Sequence, residues 1–411
     1  MTMLIVGGYG SVGRTIAGEL ATVSDGPNSV IVAGRDGTKA ATAAGALGEN
    51  VSGIAFDLQR TESYDRVLKD VDDVVMCVDQ SGTAFVKACL ERGIDYVDVT
   101  ASDEFFRRVE GLDDLARDHG ATGVLSVGLV PGVTNLLAKR LTDQLSAVSE
   151  IRIGVLLGLG EAFGPAASRW TLDRIGRQFT VHDAGGSLPV RGFVTPESME
   201  FPRYGRRRAY SFDFADQHVI HRTLDVPAKT YLCFDSRAVT AAVHGLSRFK
   251  LYRPAVEAIG RDRLAELVST PSVGGDGFAV TVAADGQADT TAKTLVTALD
   301  GREQRRVTGI VASTVSKMIR DTTVPDGVHH VHEIFDAEPI LDVLRKGGYR
   351  LTKSTTTAGT PTEADTGARA GSTAAIWITR ATRGCSGGDS GYRSSSRSPS
   401  YFFSDFSQDG F

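Results

Sequence analysis

The sequence predicts an α/β fold, in which a doubly wound parallel sheet precedes a second α+β domain with a mixed or antiparallel sheet. Up to residue 132, short apolar runs alternate with stretches of helical period. After residue 150, β-rich runs are instead separated by long turns. From residue 351 the chain is rich in Ser, Thr, Gly and Arg and loses its periodicity. We therefore predict domains at 1–132 and 133–350, whose last helices pack back on the first domain, and a disordered tail at 351–411.

Composition excludes several classes of protein. The 411 residues are 41% hydrophobic, which suffices for the cores of two domains. A net charge of -5 disfavours a general binder of nucleic acid or anionic membranes, because an acidic surface repels both. The sequence contains neither a long apolar run nor a signal-peptide pattern at its start, so we expect a cytoplasmic protein. Its four cysteines are far apart in sequence, which predicts neither a disulfide framework nor a metal site.

The apolar run at 3–6 enters a glycine turn with the spacing G-x-G-x-x-G, and a stretch of helical period follows. We expect a positive φ at the first glycine, close approach of the backbone to a pyrophosphate at the second, and tight helix packing at the third. The spacing alone also suits a purely structural turn, so its context decides. The predicted dinucleotide contacts are Gly8, Gly10, Ser11, Val12 and Gly13.

The second apolar run, at 29–33, indicates which dinucleotide binds. An acidic side chain at the end of this strand binds the ribose of NAD, whereas here Gly34 and Arg35 stand at that point. A guanidinium beside a small residue suits a 2′-phosphate, and Lys39 adds a second positive charge one helical turn later. This pattern predicts NADP and a Rossmann-type domain. The alternative is that Arg35 is a solvated charge and that Asp36 binds the ribose.

Two later strand ends supply further predicted contacts. In doubly wound sheets, ligands bind beyond the carboxyl ends of the strands. This rule places Asp57 near the adenine and places Gln80 and Ser81 near the nicotinamide. Asp57 serves equally well as a helix cap. Asp98 ends the next strand and lies at the same predicted edge, although it also suits a turn.

Eight short segments, taken in their order along the chain, carry a resemblance to a known family. They are 8–13, 33–36 with Lys39, 96–100, 128–132, 158–161, 170–173, 214–217 and 325–330. The most telling is the run G-L-V-P-G at 128–132, which opens a helix. From residue 4 to residue 344 the chain resembles the saccharopine dehydrogenase (saccharopine reductase-like) family. The resemblance implies a two-domain NAD(P)-dependent oxidoreductase, usually dimeric, in which hydride passes between NADPH and an imine.

The chain departs from that family at the turn after its fourth strand. Many relatives have a glycine and a proline there, whereas this chain has V-D-Q-S-G at 78–82. Proton transfer to an imine nitrogen requires a general acid or a nearby anion. The candidates for this role are Glu161, Asp173, Asp216, His218 and His221. We favour Glu161, which lies in a glycine-flanked loop, and His218. His218 directly precedes residues 219–223, which we predict as a strand, and His221 lies within them; either histidine can equally be a structural residue.

Two clusters of charged or ligating side chains admit structural interpretations. The arginines at 203, 206, 207 and 208 suit a carboxylate-bearing substrate or a solvated turn. The run H-H-V-H-E at 329–333 invites a metal site, which we reject because it lacks the H-E-x-x-H order. We therefore predict an NADP-dependent imine oxidoreductase acting on a small molecule. The alternatives are a C=C or C=O reductase on the same scaffold and a regulator that senses NADP without turnover.

Overall fold

The computed structural model describes residues 1–22, 29–160, 165–183, 185–260, 263, 274–289 and 291–357. Two seven-stranded sheets and a small hairpin account for the strands in these ranges. The first seven residues of the predicted disordered tail, 351–357, belong to a strand that runs from Arg350 to Thr357, and the rest of the tail lies outside the described residues. Within the described ranges, no helix combines the length and apolarity that a bilayer span requires.

The first sheet is entirely parallel, with the order β15-β6-β5-β4-β1-β2-β3. Its core strands, buried on both faces, consist largely of Val, Ile, Leu and Met, as a parallel sheet covered by helices requires. The strands are β1 (Met3–Val6), β2 (Val30–Gly34), β3 (Val51–Ala55), β4 (Asp73–Met76), β5 (Asp95–Asp98), β6 (Thr122–Leu125) and, much later in the chain, β15 (Gly327–His330).

Helices connect these strands and cover the sheet. They are α1 (Ser11–Ala21), α2 (Gly37–Gly45), α3 (Tyr64–Val67) after a 3₁₀ turn at Thr61–Ser63, α4 (Ala84–Leu90), α5 (Asp103–Glu110) and α6 (Asp113–Asp118). Their caps follow from local sequence: the side chain of Asp36 accepts a bond from the Lys39 amide, and that of Ser102 accepts one from the Phe105 amide. The irregular segment Leu129–Val133 then leads into α7 (Thr134–Thr142), which leaves the first sheet.

The second sheet is mixed, as predicted, with the order β10-β11-β12-β7-β13-β14-β16. Only β7 and β12 are parallel neighbours. Its strands are β7 (Ala147–Leu157), β10 (Pro196–Phe201), β11 (Gly205–Ser211), β12 (Ala228–Phe234), β13 (Gly277–Ala288), β14 (Thr291–Arg302) and β16 (Arg350–Thr357), and β8 (Gln178–Asp183) pairs with β9 (Gly186–Arg191) in a separate hairpin. The fold class predicted from the sequence is confirmed.

Helices of the second half of the chain pack on both sheets. They are α8 (Pro165–Arg174), α9 (Ala215–Leu224), α10 (Arg237–Arg248), α11 (Tyr252–Ile259), α12 (Gln304–Asp321), α13 (Val331–Ile334) and α14 (Ala337–Lys346). The long helix α12 packs on α1, where a Cβ on Gly309 would lie 2.5 Å from Cβ of Thr15. Together with β15, it returns the chain to the first sheet.

One predicted element is wrong. Residues 219–223, expected as a strand, lie within α9. The buried residues Ala215, Val219 and Ile220 recur with helical spacing, and the helix begins after Phe214, whose backbone is extended. The β-branched Val219 and Ile220 favoured a strand locally, but tertiary packing of the apolar face outweighs that preference.

Asp73, at the start of β4, is a buried carboxyl whose ionisation is expected to make the stability of the protein depend on pH. Its side chain is buried, and burial together with Asp95 raises the pKa of the carboxyl to about 7. The folded state therefore retains a proton that the unfolded state loses near pH 4, so the free energy of unfolding falls as pH rises from about 4 to 7. We expect Asp73→Asn to raise the free energy of unfolding by about 4 kcal/mol at pH 8 and to leave it little changed at pH 4. Urea titrations at both pH values measure this, and the exposed Asp70→Asn is the control.

Candidate active site

The glycine turn joins β1 to α1 at the carboxyl edge of the first sheet. The positive φ, +83°, falls on Gly7 and not on Gly8, so the expectation of a positive φ at the first motif glycine is wrong by one residue. A Cβ on Gly13 would lie 2.4 Å from the Gly7 carbonyl oxygen, which shows how closely α1 packs on the turn. Gly10 and Ser11 are exposed, and no side chain caps the helix. Its first N–H groups therefore remain open to an anion.

The end of β2 is shaped by a contact that the sequence did not reveal. The ring of Tyr9 lies where a Cβ on Gly34 would stand, 2.3 Å from Cε1, so only glycine fits there. The Asp36 amide donates to the Tyr9 hydroxyl over 3.4 Å. This contact fixes the path of the chain through Arg35, whose side chain is exposed.

The carboxylate of Asp36 is already occupied by its own helix. Its Oδ1 accepts from the Lys39 amide at 3.0 Å, and its Oδ2 lies 3.6 Å from Lys39 Nζ. The backbone bond from Lys39 is the main cause of a lowered pKa at Asp36. These contacts favour a capping role for Asp36 over the alternative ribose-binding role.

The remaining predicted contacts of the first domain lie after β3 and β4. Asp57 accepts from the Gln59 amide at 3.1 Å, and so closes a turn after β3. Ser81 is exposed, and its carbonyl accepts from Arg108 Nη1 at 3.1 Å. Gln80 Nε2 donates to the Tyr96 hydroxyl at 2.7 Å, while Gln80 Oε1 is buried without a hydrogen-bond partner.

Gln80 belongs to a buried polar network at the end of β5. The Tyr96 hydroxyl donates to Asp98 Oδ2 at 2.5 Å, and the Thr100 amide donates to Asp98 Oδ1 at 2.7 Å. Burial raises the pKa of Asp98 to about 6, against the lowering effect of these hydrogen bonds. In the sequence, Tyr96 was part of a segment that resembles the known family, but nothing indicated a role for it in this network. The network fixes the turn at 79–81, where this chain departs from the resembled family.

The second domain supplies a cationic and aromatic group from α8 and the segment before α9. The Arg174 guanidinium lies 3.9 Å from the centroid of the Trp170 ring, and its Nε donates to the Asp213 carbonyl at 3.1 Å. His218 Nε2 lies 2.8 Å from Asp213 Oδ1, and both side chains are largely buried. The positive charge of Arg174 also acts on Asp79, opposing the burial that raises the pKa of that carboxyl. Arg174 and His218 are thus held together by Asp213.

The other candidates for proton transfer, and the arginine cluster, lie in different environments. Glu161 lies outside the described residues. Asp216 is buried and accepts from the Thr230 hydroxyl at 2.8 Å, which ties α9 to β12. His221 stacks on His182 with ring centroids 4.1 Å apart. Two of the clustered arginines lie near carboxylates, Arg206 near Glu200 and Arg203 near Asp300.

The histidine-rich segment has structural partners. His330 lies 2.8 Å from Ser126 Oγ through Nδ1 and 2.9 Å from Glu110 Oε1 through Nε2. His332 Nε2 lies 2.8 Å from the Thr223 hydroxyl, and burial lowers the pKa of His332 to about 3. Across the described ranges, no group of three His, Cys, Asp or Glu side chains is arranged to hold a metal.

The comparisons with known proteins agree with this geometry. A model of the saccharopine dehydrogenase NADP-binding domain matches residues 3–127. The first domain is a saccharopine dehydrogenase NADP-binding domain. The resemblance inferred from the sequence is thereby confirmed, and this domain supports an NAD(P)-dependent oxidoreductase. A comparison with curated proteins gave no match.

Solved structures extend the likeness of fold beyond the NADP-binding domain. Apo saccharopine dehydrogenase (L-Glu forming) from Saccharomyces cerevisiae is 17% identical, and the alignment covers 86% of this chain and 99% of that chain with a TM-score of 0.63. DAP dehydrogenase from C. glutamicum, in complex with DAP, is 14% identical, with coverage of 84% and 98% and a TM-score of 0.40. The first comparison shows that the two-sheet architecture is the saccharopine dehydrogenase fold. The second is too distant to add to it.

The first domain offers several groups that suit a dinucleotide. The open N-terminus of α1 and the exposed Gly10 offer backbone donors to a pyrophosphate. Beyond β2, the side chain of Arg35 is exposed and faces no described carboxylate within ion-pair distance. The buried, unpartnered Oε1 of Gln80 marks an acceptor near the predicted nicotinamide end. The residues present therefore fit a nicotinamide dinucleotide.

Proposed function

We propose that this protein is an NADP-dependent oxidoreductase that transfers hydride to or from the C=N bond of an amino-acid-like or amine substrate. The observation that carries the proposal is the group formed by Asp213, His218 and Arg174 beside the turn after β4. It joins a proton-transfer group to a fixed guanidinium, and the charge of Arg174 acts on Asp79, the residue before the predicted nicotinamide contact Gln80.

The roles of the side chains follow from their chemistry. NADPH, when bound, supplies the hydride. His218 can hold or release a proton at an imine nitrogen, and the Asp213 carboxylate orients its ring through the 2.8 Å contact. Arg174, stacked on Trp170 and anchored by the Asp213 carbonyl, presents a planar donor that suits a substrate carboxylate. Phe212 and Phe214 pack around Trp170 and help to exclude water from this group.

Selectivity for NADPH depends on Arg35 in this proposal. Asp36 serves as a helix cap, so no free acid remains at the end of β2 to bind an unphosphorylated ribose. We expect Arg35→Ala to weaken NADPH binding about 10-fold to 100-fold and to leave NADH binding unchanged, because a charge-assisted hydrogen bond contributes about 1.5–3 kcal/mol. Fluorescence titration of both cofactors measures the effect. Arg66→Ala, another exposed arginine of this domain, is the control, and an unaltered NADPH affinity in Arg35→Ala contradicts the assignment.

The reaction class is tested with a panel of substrates. Purified protein is supplied with NADPH and with imines formed in solution from amino acids and aldehydes, with enones and with ketones, and the absorbance of NADPH is followed. Turnover confined to the imines supports the proposal. Turnover confined to enones or ketones would favour the C=C or C=O reductase. Tight NADPH binding with no turnover in any class would favour the regulator.

Assembly and location form a further part of the proposal. We propose a homodimer in the cytoplasm, by analogy with the resembled family. Light scattering coupled to gel filtration measures the mass in solution, and a monomer mass at micromolar concentration contradicts the dimer. Fractionation of the source cells tests the location.

A further inference from the structure

An apolar cavity of about 240 Å³ lies inside the second domain, behind α8. It is bounded by the ends of β7 and β12 and by α8, α10 and α11; Leu157, Phe234, Val243 and Val256 are among its lining residues. The one phenol in the lining, on Tyr252, donates to the Leu172 carbonyl at 3.3 Å, so its hydroxyl is satisfied. Ordered water does not fill an apolar cavity of this size, but an apolar ligand can bind there.

The cavity opens toward solvent through an apolar rim. Two lining residues, Leu246 and Ile259, are 37% and 47% exposed. Beside them, between α10 and α11, Phe249 is 74% exposed and Leu251 is 54% exposed. Large apolar side chains grouped at an opening mark a site that binds an apolar partner.

A second pocket, of about 440 Å³, adjoins the first and has the opposite character. Tyr252 lines both, and Leu246 of the cavity is followed in sequence by Ser247 of the second pocket. The described side chains around the second pocket include no carboxylate but four cations: Arg177, Arg191, Lys250 and Arg253. Such a concentration of positive charge attracts an anionic group.

Ser247 supplies an independent observation at the second pocket, which we call the basic pocket. Its side chain is 1% exposed, and its hydroxyl has no hydrogen-bond partner although it lines this pocket. Buried hydroxyl groups are almost always paired, because an unpaired one destabilises the folded state. A ligand oxygen in the basic pocket would satisfy it.

We infer that the two pockets form one binding site for an anionic amphiphile. Its hydrocarbon chain enters the cavity, and its carboxylate or phosphate head binds among the four cations and the Ser247 hydroxyl. The site lies behind α8 with respect to the candidate active site. Ser168, Thr171, Leu172 and Ile175 of the α8 region line the cavity, whereas Trp170 and Arg174 lie on the other face of the helix. The inference does not depend on the proposed reaction.

Chain length and head group give the first test. Hexanoate, octanoate, decanoate and dodecanoate are titrated below their micellar concentrations into the full chain by calorimetry. Each added methylene is expected to tighten binding about threefold to fourfold until the cavity is full, because burial of one CH₂ contributes about 0.8 kcal/mol. Dodecyl phosphate is compared with dodecanoate to identify the preferred head. Dodecanol, which lacks the charge, is expected to bind at least 10-fold more weakly.

Three variants distinguish the contribution of the cavity to amphiphile binding from that of the basic pocket. Val243→Phe fills the cavity and is expected to weaken dodecanoate binding at least 10-fold. The double variant Lys250→Glu and Arg253→Glu is expected to weaken dodecanoate similarly while leaving dodecanol unchanged. Lys69→Glu changes one exposed charge on the first domain and is expected to have no effect. Thermal unfolding and NADPH titration of each variant verify that it is folded.

The inference is overturned by any of three results: affinity that does not rise with chain length, equal dodecanoate affinity in the filled-cavity variant, or no loss on charge reversal. A further experiment measures association of the protein with vesicles that contain phosphatidylglycerol. Association with these vesicles in the absence of binding to monomeric amphiphile would assign the surface to a membrane and would also overturn the proposal.

Discussion

Replacement of Gly13 by alanine is expected to weaken NADPH binding at least 100-fold and to lower the free energy of unfolding by about 1–3 kcal/mol. The added Cβ would lie 2.4 Å from the Gly7 carbonyl oxygen and 2.6 Å from Cα of Gly8. Both atoms belong to the backbone, so the clash cannot be relieved by rotation of a side chain. Either α1 or the turn must move, and the open N–H groups then lose their alignment with the pyrophosphate. Fluorescence titration and urea unfolding measure the two effects.

The control for this variant lies in the same helix. Gly18 is also in α1, but a Cβ there meets only Leu47 Cδ2 at 3.7 Å, an ordinary contact. Gly18→Ala is expected to stabilise the protein by about 0.5–1 kcal/mol and to leave NADPH binding unchanged. If Gly13→Ala behaved like Gly18→Ala, the close packing of α1 on the turn would not govern cofactor binding.

Replacement of His218 by glutamine is expected to lower kcat about 100-fold to 10,000-fold while NADPH affinity is unchanged. General acid or base catalysis contributes that range of rate, and the His218 ring lies 2.8 Å from the carboxylate that orients it. Asp213→Asn is expected to lower kcat less, because the histidine remains while its orientation is weakened. Steady-state rates with the imine substrate identified by the panel measure both effects.

His221 provides the matched control for the histidine prediction. It lies nearly one turn later on α9, where its ring stacks on His182. His221→Gln is expected to change kcat less than threefold. Equal kcat values for wild type and His218→Gln would remove His218 from the reaction, and the same loss in both variants would indicate a general disturbance of α9.

The sequence predicted the parts of the fold that depend on local patterns. The strands and helices up to residue 125 could be predicted because apolar runs alternate with stretches of helical period and a glycine turn follows the first run. In a parallel sheet most elements that are neighbours in space are also close in the chain, so these local patterns suffice. Lys39 and Arg35 could be proposed as phosphate contacts for the same reason, since both follow a recognisable strand. Asp36 was assigned its capping role only by the structure, because a cap and a ribose ligand are both acidic residues at a strand end.

Contacts between distant segments had no local signal. Arg174 and Asp213 are 39 residues apart, and their contact depends on how α8 packs near the segment before α9. The same holds for β15, whose Gly327 pairs with Thr122. The predicted strand at 219–223 failed because its β-branched residues were judged without the packing of the helix they form.

The return of the chain to the first sheet, through α12 and β15, affects how the protein folds during its synthesis. A ribosome releases residues 1–132 long before it releases α12 and β15, which cover α1 and extend the sheet beside β6. Until those segments emerge, the buried face of α1 and the edge of β6 are exposed to the cell. The NADP-binding domain therefore completes its core only after α12 and β15 have been synthesised, and until then the nascent chain presents an unpaired strand edge that is prone to aggregation.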